Sequence, residues 1–320
     1  MTGREEHDAK FDEMINNLLD GKPDVLIRYA NSSFNSKTKS TKYRYLFFVW
    51  HYLEYLEENG YDINSIDTYK DILPSDIDDY ISYLKDNGSG NGSAHQKFYA
   101  VKSFYTFLKK KMRCITENPC DDADTPHPNN KKEVVFMTPD EVRQVESVIA
   151  QNSRRNLVAR NLAIFSLGCT TGLRVESIVE INVADLDLEH GSITVVEKGN
   201  KERTVYLGRK TINYIRKWLE VRDKMEKEDT DALFLTPVTK KRITTFTVTN
   251  MLKESTKCIG KKITPHKMRS TCGTNLYQKT GDIYLVAQVL GHNNIASTKR
   301  YAQVDKTKRT NAAKIMNDLF

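Results

Sequence analysis

The chain is poor in cysteine, with five among 320 residues, at positions 114, 120, 169, 258 and 272. The number is odd and no C-x-x-C pair occurs, so neither a disulfide framework nor a zinc site is indicated, and a reducing cytoplasm fits. Long apolar runs are missing too. The longest, LAIFSLGC, falls well short of the ~20 residues that a membrane-spanning helix needs. The opening MTGREEHDAKFDE has no apolar signal-peptide core. Neither H-E-x-x-H, nor a Walker-type phosphate loop, nor G-x-G-x-x-G is present, and with them go the commonest sequence signals for a resident metal or nucleotide cofactor.

Charge is plentiful. Charged residues make up 28% of the chain and hydrophobic ones 39%, as in ordinary globular proteins. At ~150 residues per domain the length suggests two domains, each able to bury a core. The net charge of +7 is unevenly spread. Residues 139–320 hold 31 Lys and Arg against 20 Asp and Glu, while residues 1–138 hold 18 against 22. A basic second part suits a polyphosphate partner, although a solvated basic surface has the same composition.

Residues 1–37 are polar and somewhat acidic. They read as a loosely held lead with a short helix at about 11–20, ended by Pro23. Residues 38–115 look all-helical. Tyr45, Phe48, Tyr52, Tyr55 and Leu56 recur at three- and four-residue steps, and so do Phe98, Val101, Tyr105 and Leu108. Pro74-Ser75 starts and Gly88 stops a helix between them. The aromatics predict core. The lysines among and after them, Lys97, Lys102, Lys109, Lys110 and Lys111, fit either a phosphate-facing stripe or a solvated face. Residues 116–137, rich in Pro, Asn and Asp, read as an interdomain linker.

A second domain, 138–305, opens on a capping box, with Thr138 as N-cap, Pro139 at the first helical position and Glu141 following. Gly172 ends an apolar helix. Residues 191–208 change to β-branched residues around Gly-Asn-Lys, which predicts a hairpin. Helices then return. The expected fold class is therefore mainly α, with a helical N-terminal domain and a mixed C-terminal domain that holds a small β-hairpin or sheet. The tail, 306–320, spaces Ala312, Ile315, Met316 and Leu319 as an amphipathic helix that needs a partner surface, in cis or in trans.

Six positions in the second domain carry chemistry: Arg174, Lys198, His266, Arg269, His292 and Tyr301. Metal-free phosphoryl transfer needs fixed cationic donors on the phosphate oxygens, a group to take the nucleophile's proton and another to protonate the leaving alkoxide. Two arginines, two histidines, a lysine and a tyrosine meet that need. Each alone has a plainer reading: surface arginine, solvated hairpin lysine, helix-start pair, helix C-terminus, packed tyrosine.

Their order and spacing change the weight. TGLR, then EKGNKERTVYL, then HKMRSTCGTNLYQKTGDIYLVAQVLGH, then STKRYAQV resemble the signatures of the tyrosine recombinase (phage integrase) family over the whole second domain. The helical domain before it resembles, more weakly, that family's SAM-like core-binding domain. The resemblance implies that Arg174 and Arg269 clamp the scissile phosphate, that His292 adds a hydrogen bond to it and that His266 helps deprotonate Tyr301. It also implies that Lys198 protonates the leaving 5′ oxygen and that Tyr301 forms a 3′-phosphotyrosyl link. Neither metal nor cofactor is implied. The implied partners are double-stranded DNA sites, sister subunits in a homotetramer, and accessory DNA-bending or directionality factors, in the cytoplasm at the nucleoid. Lys97, Lys102, Lys109, Lys110, Lys111, Lys201 and Arg203 are the candidate DNA contacts.

One position departs from the family pattern. Ser177 stands where an acidic residue often follows the first arginine, and Glu176 lies beside it, turned by ~100° on a helix. The expected function is site-specific recombination, as integration or excision of a mobile element, with Xer-like chromosome dimer resolution or DNA inversion as alternatives on the same chemistry. A non-cleaving DNA-binding regulator and a topoisomerase-like nicking enzyme are the readings of other classes.

Overall fold

Two apolar stripes on separate helices must find each other, and they do so inside the first of two compact units, residues 1–132 and 133–320. The computed structural model describes residues 3–34, 36–127, 133–197, 201–225, 231–292 and 294–302. The first unit runs α1 (Gly3–Leu19), α2 (Asp24–Ser32), α3 (Lys39–Glu58), α4 (Thr68–Asp71), α5 (Pro74–Asp86) and α6 (Asn91–Phe107), which widens into a π-turn at Leu108–Met112. On α3, Tyr52 and Leu56 are buried, and Tyr45, Phe48 and Tyr55 pack half-buried against that core. Phe98, Val101, Tyr105 and Leu108 meet them from the other side. A hydrogen bond of 2.8 Å joins the Tyr52 and Tyr105 hydroxyls, so two phenols cut off from water satisfy each other.

Two stretches differ from the expectation. Within the supposed polar lead, α2 buries Val25, Leu26, Tyr29 and Ala30. Tyr29 meets Phe104 edge-on at 5.5 Å, and its hydroxyl donates to Ser103 Oγ. The polar residues that dominate this stretch occupy the outer face of a short amphipathic helix. Pro23 precedes α2 as its N-cap rather than only ending α1. The supposed linker begins as part of the first unit. Cys120 and Ala123 are buried in its core. Asn118 Nδ2 donates to Lys102 O, and Lys102 Nζ pairs with Asp121 at 2.8 Å.

The second unit runs α7 (Pro139–Asn152), α8 (Val158–Thr171), α9 (Val175–Glu180), then an antiparallel sheet of β1 (Leu186–Asp187), β2 (Ser192–Glu197) and β3 (Lys201–Tyr206) in that order. It continues with α10 (Arg209–Asp223), α11 (Thr245–Ser255), α12 (Pro265–Thr280), α13 (Ile283–Leu290) and α14 (Lys299–Ala302). The capping box at Thr138 forms as expected: the hydroxyl accepts from Glu141 N, and the Glu141 carboxylate accepts from Thr138 N. In the sheet Ile193 pairs with Val205 and Val195 with Arg203. Ile193, Val195 and Val205 are buried, while Thr194, Val196, Thr204 and Tyr206 between them are exposed, the period-2 pattern of a half-covered sheet. The hairpin turn with Lys198 and the tail 306–320 lie outside the described residues. Among the described residues no helix is long and apolar enough to cross a membrane.

Helix α8 is buried along nearly its whole length, and α7, α10 and α12 pack around it. The strand-like entry to α7 pins α12 against this centre. Met137 N donates to Thr271 Oγ1 at 3.0 Å, and Asn275 Nδ2 donates to Met137 O at 2.9 Å. Thr271→Val leaves the buried Met137 N–H without that acceptor. It is expected to cost ~1–3 kcal/mol of unfolding free energy in urea titrations, with Thr271→Ser losing less because it keeps the hydroxyl.

Candidate active site

Two helices end in the same way and deliver two functional residues. Helix α8 stops on Gly172 at φ +63°, and Arg174 follows as the N-cap of α9. Helix α13 stops on Gly291 at φ +65°, and His292 comes next. Both glycines take the left-handed conformation that other L-residues adopt at a cost. Arg269, from α12, ties the two ends together. Its Nη1 donates to Gly172 O at 2.7 Å and its Nη2 to Leu290 O at 2.6 Å. Arg269 is only 3% exposed. Carbonyls at a helix C-terminus lack intrahelical partners and sit at the negative end of the dipole, so one planar cation satisfies both.

His266 lies in the first turn of α12, on the same face as Arg269 three residues on. Its Nε2 is 2.8 Å from Arg300 Nη2. An arginine can only donate, so Nε2 is the acceptor and the ring proton of His266 sits on Nδ1. Burial, then the charges of Arg300, Arg269, Lys267 and Arg174, hold its pKa below the ordinary imidazole value. His292 Nδ1 is 2.7 Å from the hydroxyl of buried Thr298. Burial, then Arg269, Arg174 and Arg300, push its pKa down to about 4. Both imidazoles are therefore neutral at pH 7.

Tyr301, on α14, is 1% exposed. Its ring runs nearly parallel to that of His292, at 8° and 6.5 Å between centroids. Gly273 makes room for it: a Cβ there would lie 3.0 Å from Tyr301 Cε2 and 3.1 Å from Cζ. The Arg300 guanidinium stands 5.1 Å from the phenol ring centroid, and its Nη2 is 3.4 Å from the Tyr301 hydroxyl.

Arg174, His266, Arg269, His292 and Tyr301 thus come together from four separate stretches of chain. Lys198 lies outside the described residues. Glu176 is exposed and Ser177 buried, so the residue three places after Arg174 faces the interior as a small hydroxyl and no carboxylate fills that place. Among the candidate DNA contacts, Lys110 and Lys111 are exposed and Lys109 half-buried on the π-turn. Lys97 Nζ donates to Ser89 Oγ, and Lys102 is paired with Asp121. Lys201 opens β3. Arg203 donates to Val289 O at 2.7 Å, reaching from the sheet to the last turn of α13. Sequence reasoning passed over Thr298 and Arg300. Both stand within STKRY, but nothing in the spacing of that stretch shows that they turn toward the histidines. Among the described residues no group of three or more His, Cys, Asp or Glu side chains is placed to hold a metal ion.

Two outcomes follow from this geometry. Histidine NMR on the protein alone is expected to show His292 titrating with a midpoint near 4. Its proton is then gained only well below the ordinary value of ~6.5. Gly172→Ala forces a left-handed alanine whose Cβ would lie 2.3 Å from Leu290 Cδ2. It is expected to lower thermal stability by at least ~1 kcal/mol.

The phage integrase family matches residues 136–308. Over 256 residues the chain is 32% identical to tyrosine recombinase XerC of Caldanaerobacter subterraneus subsp. tengcongensis, covering 77% of this chain and 70% of that protein. Over 263 residues it is 33% identical to tyrosine recombinase XerD of Oceanobacillus iheyensis, covering 80% and 85%. Among solved structures, the post-cleavage complex of XerH site-specific recombinase with a palindromic difH substrate superposes with a TM-score of 0.71 at 21% identity, over 87% of this chain and 80% of that one. The Tn1549 transposon integrase in complex with a circular intermediate DNA gives 0.68 at 19%, over 88% and 95%. These two likenesses speak for the fold, and the sequence matches speak for kinship. By its motifs, its fold and its curated relatives, the chain belongs to the phage integrase family of tyrosine recombinases.

Proposed function

We propose that Tyr301 is the nucleophile of a metal-independent DNA strand transfer and that Arg174, Arg269, His266, His292 and Lys198 serve it. Membership of the family makes the chain a site-specific DNA recombinase. The observation that carries the assignment to these residues is the convergence of the Arg174 and Arg269 charges on two neutral imidazoles beside a tyrosine. Fixed positive charge in a partly buried cleft suits a phosphodiester and stabilises the further negative charge of its transition state.

The chemistry balances with these groups. The Tyr301 oxygen attacks phosphorus, forming the O–P bond as the bond from phosphorus to the 5′ oxygen breaks. The phenol proton passes to His266 Nε2, and the leaving 5′ oxygen takes a proton from Lys198. Arg174 and Arg269 donate to the nonbridging oxygens; the two carbonyl bonds of Arg269 use one N–H of each terminal nitrogen. Thr298, donating its hydroxyl to His292 Nδ1, leaves the His292 proton on Nε2 for the phosphate. The 3′-phosphotyrosyl ester conserves the broken bond, and a 5′ hydroxyl of another strand reverses the attack. Tyr301 is buried, so its phenol must shift outward to meet a phosphodiester.

DNA recombination sites are the proposed substrate, with four copies of the chain assembled on two duplexes and accessory bending or directionality factors, in the cytoplasm at the nucleoid. The exposed lysines of the π-turn support contact with phosphates. For the role in the cell we put forward integration or excision of a mobile element. The curated relatives named XerC and XerD favour a second reading, resolution of chromosome dimers. Mapping the cut positions separates the two: the ends of one element, or a single chromosomal site.

The test is a nicked suicide duplex carrying DNA from the flanks of the coding region. A covalent protein–DNA adduct is expected with the native chain and none with Tyr301→Phe; an adduct that survives the substitution removes the assignment. Because His266 acts as a neutral base with a lowered pKa, the adduct rate is expected to stay flat through pH 7. It should fall only below ~6.5, as the imidazole gains its proton.

A further inference from the structure

Arg300 is the charged group nearest the proposed nucleophile, and the motif reading gives it no role. Its Nη2 lies 2.8 Å from His266 Nε2, 3.2 Å from Ser270 Oγ and 3.4 Å from the Tyr301 hydroxyl. Its Nε is buried and has no hydrogen-bond partner among the described residues. After burial, its charge is one of those that lower the pKa of both histidines.

We propose that Arg300 is a third arginine of the phosphate site, and that its engagement with the scissile phosphate is what frees His266 to accept the Tyr301 proton. The proposal rests on Tyr301 being the nucleophile. In-line attack brings phosphorus within about 3–3.5 Å of the phenol oxygen. A guanidinium nitrogen 3.4 Å from that same oxygen then lies within hydrogen-bond reach of the nonbridging oxygens. Arg300 and Tyr301 are consecutive on one short helix, so a shift that exposes the phenol carries the guanidinium with it. The unpartnered Nε–H beside Nη2 offers the second donor of a bidentate contact to an anion.

His266 can take a proton only through its Nε2 lone pair, because Nδ1 already carries the ring hydrogen. Arg300 Nη2 occupies that lone pair. Turning the guanidinium onto the phosphate uncovers Nε2 and takes away the nearest positive charge opposing its protonation. Recruitment of charge to the phosphate and release of the base are then one motion, and base strength rises only where a phosphate is in place.

The test compares two linkages at the mapped cleavage position of a suicide duplex: the natural phosphodiester and an uncharged methylphosphonate. Variants are Arg300→Ala, Arg300→Gln, which keeps an N–H donor for His266 without charge, and Arg300→Lys; thermal melting and duplex binding confirm that each folds. On the phosphodiester, Arg300→Ala and Arg300→Gln are expected to slow adduct formation ~100-fold, in line with loss of one donor to a developing oxyanion, with Arg300→Lys between them and the native chain. On the methylphosphonate, which needs less neutralisation, the loss is expected to shrink below ~10-fold. An equal loss on both linkages, or none on either, overturns the proposal and leaves Arg300 as a packing residue for Tyr301. Tyr301→Phe runs alongside. If its adduct persists, the nucleophile assignment fails and this proposal with it; if it vanishes while the linkage dependence is absent, this proposal alone fails.

Discussion

A single guanidinium, that of Arg269, holds the site in register. It bridges Gly172 O and Leu290 O, the ends of two helices that lie 118 positions apart in the chain, 290 against 172. Arg174 stands two residues beyond the first carbonyl and His292 two beyond the second, so both depend on that bridge for their position. Lysine could not replace it, since an ammonium lacks the rigid planar fork that meets two acceptors at once. Burying a charge is costly unless its donors are matched, and two dipole-end carbonyls match them without neutralising the cation. Arg269 thereby places a positive charge inside the site.

That charge adds to burial in setting the state of the histidines. Burial contributes most to the lowering of both pKa values, and the arginines add to it in the same direction. A cluster of cations suited to a phosphodiester thereby also helps burial to keep both imidazoles neutral at pH 7. The two requirements of the proposed chemistry, anion binding and a usable base, are met by one electrostatic arrangement.

The last turn of α13 is tied to two other parts of the second unit. Leu290 O is taken by Arg269 and Val289 O by Arg203, while His292 N donates to Ala287 O. These are the orphan acceptors of a helix terminus, and every partner they take is a part of the site or of the hairpin beside it. Arg203 lies five positions beyond Lys198, 203 against 198, so the strand that follows the hairpin turn is anchored to the helix that delivers His292.

Much of this was determined by the sequence itself. Helical spacing marked Tyr52, Leu56, Phe98 and Tyr105 as core, Thr138-Pro139 with Glu141 marked the start of α7, and β-branched residues around Gly-Asn-Lys marked the hairpin. These are local signals, set by backbone sterics and side-chain period. The four ordered blocks likewise singled out Arg174, His266, Arg269, His292 and Tyr301 as candidates. Tertiary structure alone decided three other matters. It buried the apolar face of α2 that the polar composition of residues 1–37 conceals. It committed Lys102 to Asp121 and Arg203 to a helix end. It also laid Arg300 against His266, although 34 residues separate them. Periodicity tells which face of an element is covered, while the choice of partner for a long charged side chain rests on contacts distant in the chain, and no local pattern encodes those.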